Sequence, residues 1–298
     1  MLLLAVGMTR GLASPAMADG TDLSPARDES PDLHVMTFNL RFAGDAPPNS
    51  WSERRPVVKL LLHQERPDLI GTQEGLLQQL LDIEADLPTH YAGIGTGRDG
   101  DGQGEAMQVF YNTERLTPLE FGHYWLSDTP DDPGSRSWGG CCTRMVTWVR
   151  FLDRASGAQF YELNTHFEAF SAEARTKSAD LVLDRMIRQE PKLPVLLTGD
   201  FNEAGGPGGA VYDRLVTAGP FVDTWAAALT TGPRLDTFHG YLPKAPTSAA
   251  GTRIDWILSS PDVRTRASSI NAYASHGQLP SDHFPVQAVV VLPKPPRG

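Results

Sequence analysis

The residues of this sequence that can do chemistry stand in short polar clusters, each beside an apolar run. In chain order they are Asn39, Glu74, Asn164-Thr165-His166, Gly199-Asp200-Phe201-Asn202, Arg253-Ile254-Asp255 and Ser281-Asp282-His283. Carboxylates and carboxamides suit a hard divalent cation, and Mg²⁺ in particular takes few protein oxygens and keeps most of its waters. Histidine beside a carboxylate suits proton transfer, because the carboxylate fixes the imidazole tautomer and raises its basicity. Strand ends that converge on one mouth would combine the two, and the chemistry implied is metal-assisted hydrolysis.

Each cluster also has a purely structural explanation. Asp200 and Asn202 follow the apolar run Pro194-Val195-Leu196-Leu197, so a buried strand would deliver both onto one face of its end. An Asp/Asn turn after a strand would look the same. Asp255 interrupts the otherwise apolar run Ile254-Asp255-Trp256-Ile257-Leu258, and a buried carboxylate needs a partner or a metal. His283 is the partner expected for it. Glu74 could be an ordinary helix-start charge and Asn39 an ordinary turn residue. The ordered combination is what favours chemistry.

Positioning these groups requires strands that end together. Short apolar runs predict strands over residues 34–38, 68–71, 106–111, 145–151, 160–164, 195–198, 254–258 and 286–292. Helical spacing, such as Val57, Val58, Leu61 and Leu62, predicts helices over 52–65, 76–87, 172–188 and 210–218. Hairpin and crossover connections together imply an α/β protein with two mixed sheets packed face to face and helices outside.

The series from Thr37-Phe38-Asn39 and Gln73-Glu74 through Asn164-Thr165-His166, Gly199-Asp200-Phe201-Asn202 and Arg253-Ile254-Asp255 to Ser281-Asp282-His283 resembles the endonuclease/exonuclease/phosphatase superfamily. The resemblance covers nearly the whole domain, in order. It implies a four-layer α/β sandwich and phosphoester hydrolysis dependent on Mg²⁺ or Mn²⁺, with Ca²⁺ a poorer fit. Carried over position by position, Glu74 would hold the metal with Asn39 and Asp282. Asp200 would align or activate water, and Asn202 would orient that water or the phosphoryl group. Asp255 would pair with His283, while His166, with Asn164 beside it, would bind the phosphoryl oxygens. Either Asp200 or His283 could take the proton.

Substrate choice would lie in the loops. A long loop over residues 126–143 offers Arg136 and Trp138, and Arg144 follows it. The two arginines could clamp a phosphate and the tryptophan could stack on a base or sugar, or the same residues could form surface ion pairs and packing. His239, in Thr237-Phe238-His239, could add a third histidine to the rim.

The chain has 298 residues and a net charge of −10, which disfavours grip on extended nucleic acid through a broad basic face. Clusters spread from residue 39 to 283 favour one catalytic domain over residues 33–292, acting as a monomer on a phosphoester. A secreted nuclease is the alternative enzyme, and a catalytically silent binding module the alternative of another class. Met1-Leu2-Leu3-Leu4-Ala5-Val6 and Ala16-Met17-Ala18 read as a signal peptide over 1–18, too short to span a membrane. Residues 19–32 then form a flexible leader and 293–298 a tail. Secretion or a periplasmic location is expected, and a cytoplasmic one if that segment is not a signal. The only cysteines, Cys141 and Cys142, are adjacent; an ordinary disulfide is unfavourable between neighbours, and no Cys or His stands near them in sequence to complete a zinc site.

Overall fold

The computed structural model describes residues 32–44, 46–242 and 251–294. The expected signal peptide over 1–18, nearly all of the leader over 19–32 and the end of the tail lie outside the described residues.

β1 (Asp32–Asn39) buries Leu33, Val35, Met36 and Phe38. α1 (Trp51–Glu65) opens at Ser50, whose backbone N–H donates to Glu53 Oε2 at 2.8 Å, and leads to β2 (Leu69–Gln73), parallel to β1. α2 (Leu77–Asp86), β3 (Tyr91–Ile94) and β4 (Val109–Asn112) follow. β5 (Leu116–Trp125), β6 (Met145–Asp153) and β7 (Gln159–His166) make an antiparallel meander. α3 (Ala172–Arg188) then crosses to β8 (Val195–Asp200), parallel to β7. After α4 (Ala210–Tyr212) and a π-helical turn (Asp213–Thr217) come β9 (Val222–Asp223), α5 (Thr224–Ala227) and β10 (Thr230–Thr231). β11 (Asp255–Ser259), β12 (Arg264–Ile270) and β13 (Val286–Val291) complete the order.

The strands form one sheet ordered β10-β12-β13-β1-β2-β4-β3 and a second ordered β5-β6-β7-β8-β11-β9. Each holds a parallel pair joined by a helical crossover, β1 with β2 and β7 with β8. A crossover returns the chain to the same starting edge, so both strands of each pair finish at the same end. Antiparallel β13 and β11 begin where β1 and β8 finish. The C-terminal ends of four strands and the starts of two others therefore meet on one rim.

The inner faces of the sheets pack on each other, with β1 and β2 against β7 and β8. Leu33, Leu69, Phe151, Phe160 and Ile257 share that inner core. Outside, Leu61, Leu62, Leu80 and Ile83 of α1 and α2 cover Met36, Phe38 and Ile70. Ala179 and Val182 of α3 cover Tyr161, Leu163 and Leu197 on the other side. Strands buried on both faces read as continuous apolar runs, which is why these were legible. The four-layer sandwich expected from the sequence is the fold.

Several elements differ from the sequence expectation, among them the unforeseen short elements β3, β9, α5 and β10. Residues 210–218 do not form one helix but the short α4 followed by the π-helical turn. β5 and β12 carry Pro118, Glu120, Arg264 and Arg266, polar breaks that hide strands; β5 lies on a sheet edge, where proline is tolerated.

Candidate active site

Strand register brings the distant clusters together. His166 at the end of β7 stands level with Asp200 at the end of β8, and Asp200 is paired across the ladder with Asp255 at the start of β11. Residues level on adjacent strands project to the same face. From the other sheet, β1 ends in Asn39, level with Gln73 of β2. Glu74 follows in the left-handed region at φ 63°, as does Asn202 at φ 49°. The region is costly for Glu74 but is one that asparagine tolerates.

Asp200 is the hub. Its Oδ2 accepts from Asn39 Nδ2 at 3.0 Å and lies 3.5 Å from His166 Nε2 and 3.9 Å from His283 Nε2. Its Oδ1 accepts from the Asn202 backbone N–H at 2.9 Å. Asn202 Nδ2 pairs with His166 Nε2 at 3.0 Å. His283 Nδ1 meets Asp255 Oδ2 at 3.0 Å, the dyad expected from the sequence.

Burial and charge drive these groups apart. Burial, then the Asp255 charge, raises the Asp200 pKa to about 7, against the pull of His283, Asn202 and Asn39. Burial works to lower His283, but the charge and hydrogen bond of Asp255, with Asp200 and Asp282, raise it to about 10. Burial, with the positive charges of Arg144, Arg98 and His283, drives His166 well below the usual histidine value. The site thus holds one charged and one neutral imidazole on either side of a carboxyl group.

The donor set fits a divalent cation. Glu74, His166 and Asp200 place ligand atoms within 4.8 Å of one another. Glu74 Oε1 and Asp200 Oδ2 both accept from the single neutral amide of Asn39, each at 3.0 Å. The amide they share is uncharged, and a divalent cation between these oxygens would add to the charge that His283 sets against Asp200.

The remaining expected residues divide. Asp282 lies beside the dyad, but its carboxylate is engaged by Arg41 Nη1 at 3.4 Å and it belongs to neither of the two ligand clusters around Asp200. His239 does reach the rim: its ring lies 4.2 Å from that of Phe284, its backbone N–H donates to the Asp282 carbonyl, and burial, with His283, lowers its pKa to about 4. Arg144 is buried, with Nε and Nη1 lacking hydrogen-bond partners and Nε 3.7 Å from Glu168 Oε2.

Three expectations are corrected. Asn164 is not at the mouth but between the sheets, accepting from Gln73 Nε2 at 2.7 Å and donating to the Thr72 and Gln108 carbonyls; every arm of its carboxamide is used. Arg136 donates to the Cys141 carbonyl within its own loop. Trp138 donates to Asp128 and lies under Lys177, packing the loop onto α3.

Arg54 was not foreseen, since an arginine on an amphipathic helix normally faces water. It is fully buried and donates to the carbonyls of Leu40, Arg41, Phe42, Asn49 and Pro280. It ties the loop after Asn39 to the loop before Ser281. Phe238, half exposed, sits 5.0 Å ring to ring from His283, and only its proximity to His239 in sequence hinted at that place.

Comparison with known proteins gives the family and the fold's relatives. A Bacteroides thetaiotaomicron mannosyl-6-phosphatase, Bt3783, superposes with a TM-score of 0.80 at 33% identity, covering 87% of this chain and all of that one (100%). An endonuclease/exonuclease/phosphatase from Bacteroides vulgatus matches at TM-score 0.80 and 32% identity over 88% of this chain and 99% of its own. The uncharacterised protein L388 of Acanthamoeba polyphaga mimivirus is 32% identical over 162 residues, so the matched part spans 51% of this chain and 59% of that relative. The profile of the Endonuclease/Exonuclease/phosphatase family runs over residues 36–283, from within β1 to the histidine of the dyad, and the chain belongs to that family.

Proposed function

We propose that this protein is a divalent-metal-dependent hydrolase of small phosphomonoesters, with phosphorylated sugars the favoured class. The observation that carries the reading is Asp200 set between His166 and His283, with Glu74 on a shared amide. Mg²⁺ or Mn²⁺, held by Glu74 with Asn39 and Asp200 alongside, would neutralise phosphoryl charge and acidify water.

The chain's own groups supply the rest. Asp200, raised toward neutral pH, is matched to positioning water and taking its proton for in-line attack. Asn202 donates both amide N–H groups, to His166 Nε2 and the Phe167 carbonyl, which leaves its Oδ1 to orient the water, and the Asp255-held His283 imidazolium is placed to stabilise the charge that grows on the phosphoryl oxygens. Arg144, whose open N–H groups lie within electrostatic reach of His166, adds the positive charge that a dianionic monoester requires. The similar mannosyl-6-phosphatase of Bacteroides thetaiotaomicron supports a sugar phosphate.

The test is hydrolysis with Mg²⁺, Mn²⁺ or Ca²⁺, read as phosphate from a sugar 6-phosphate, p-nitrophenol from p-nitrophenyl phosphate and bis-p-nitrophenyl phosphate, and strand cleavage of plasmid DNA and RNA. The expected result is EDTA-sensitive turnover of the monoesters, with Glu74→Gln needing far more Mg²⁺. Absence of metal-dependent turnover on every phosphoester would sink the enzyme reading; turnover confined to DNA or RNA would replace it with a nuclease.

A further inference from the structure

We propose a second cation site, for a thiophilic divalent ion such as Zn²⁺, built from the thiols of Cys141 and Cys142 and the carboxylate of Glu168. It is separate from the Asp200 centre and does not depend on the hydrolase reading.

Sequence alone shows two adjacent cysteines and no third ligand. The fold supplies one, because Glu168 leaves the end of β7 beneath the loop over residues 126–143. The two sulfurs and a Glu168 oxygen lie within 4.8 Å of one another. A tetrahedral ion with Zn–S of about 2.3 Å needs donors roughly 4 Å apart, so small side-chain rotations close the site.

Glu168 faces both cysteines: against burial, hydrogen bonding from Phe170 and Cys141 and the charge of Arg144 hold its carboxylate in the charged form. It is 1% exposed, and while Oε1 accepts from the Phe170 N–H at 3.0 Å, Oε2 has no hydrogen-bond partner. Arg144 offsets part of the cost of burying this carboxylate, and Oε2 keeps lone pairs for a further cation. Arg144 Nε, at 3.7 Å, is too far to donate. The loop is shaped around that oxygen: a Cβ on Gly140 would stand 3.1 Å from Oε2.

Charge and access agree. Two thiolates and one carboxylate, set against Arg144 and a divalent ion, sum to zero. Cys141 is exposed and Cys142 half-buried, which gives an ion an entry path and leaves a position for water. Sulfur donors select Zn²⁺ or Cd²⁺ over Mg²⁺, whereas the oxygen-rich set around Glu74 has the opposite preference. Ser171 Oγ donates to the Trp138 carbonyl and already fastens the same loop to the start of α3; the ion would fasten it a second time, two residues past His166.

The experiment uses the full chain, reduced and stripped of metal, titrated with Cd²⁺ while the thiolate-to-metal charge-transfer band is followed in the ultraviolet. The expected result is one equivalent bound, displaced by Zn²⁺ and not by a large excess of Mg²⁺. Cys141→Ser/Cys142→Ser should abolish the band. Glu168→Gln should weaken Cd²⁺ binding by about tenfold or more and keep the wild-type circular dichroism. Absence of a band in the wild type, or a band retained by the double serine variant, overturns the site. Unchanged affinity in both Glu168→Gln and Glu168→Ala removes Glu168 from it and overturns the three-ligand assignment.

Discussion

At the scale of the residue, the site works by holding like groups in unlike states. His283 is raised to about 10 against burial because Asp255 and Asp200 face it, so its stabilising charge is fully present below pH 6.5 and is lost as pH climbs through about 10. Asp200, also raised, gives up its own contribution between 3.8 and about 7. The interval from pH 7 to 10 contains the loss from the Asp255–His283 pair, joined above pH 9 by Cys141, which burial raises to about 12, and comparison with a variant of the pair separates the two. Urea unfolding in EDTA should show stability falling across that interval in the wild type. Asp255→Asn should fall less, since it removes the main charge raising His283, and its kcat should drop by roughly 10²-fold or more. Equal slopes in the two proteins would contradict the pairing. Asp255, His283, His166 and Asp200 were legible in the sequence because a charged or titratable residue inside an apolar run has few reasons to be there. Arg136 and Trp138 were misread because residue type does not say which way a loop side chain turns.

At the scale of the element, the strand ends need something to fix the loops that leave them, and α1 supplies it through Arg54. Its guanidinium is buried among five backbone carbonyls from three segments, those after β1, before α1 and before Ser281. Burial lowers its pKa, but with arginine's ordinary value so high it stays charged. Arg54→Met would fill the space and leave those acceptors unpaired, at about 1–3 kcal/mol for each one that water cannot reach. Thermal unfolding should register a loss on the order of 3 kcal/mol or more, and under the proposed function the Mg²⁺ needed for activity should rise because Asn39 and Ser281 lose their shared anchor. A variant with wild-type melting and Mg²⁺ titration would show the arginine to be dispensable. Helix periodicity revealed α1 but not this role, since the heptad-like pattern marks Arg54 only as polar. β5 and β12 were illegible for a related reason: their stability comes from neighbours in the sheet, not from an apolar run of their own.

At the scale of the whole molecule, the two sheets are joined by more than apolar packing. A polar layer runs between them, with Gly71 so close to the opposite sheet that a Cβ there would run into Thr198 Oγ1 and Asn164 Oδ1. Asn164 Oδ1 accepts from Gln73 Nε2, which also donates to Thr37 Oγ1, while Asn164 Nδ2 serves two carbonyls of the first sheet and its margin. Asn164, two residues before His166 of the candidate site, thus serves cohesion rather than substrate. The two roles separate cleanly in Asn164→Ala. A clamp predicts that the buried donor and acceptors left behind cost about 2–4 kcal/mol in unfolding free energy, with kcat and KM close to wild type well below the melting temperature. A substrate ligand predicts raised KM with stability little changed. Urea unfolding and steady-state kinetics on the same preparation decide between them, and the carboxamide's full set of inter-sheet partners places the expected result with the clamp.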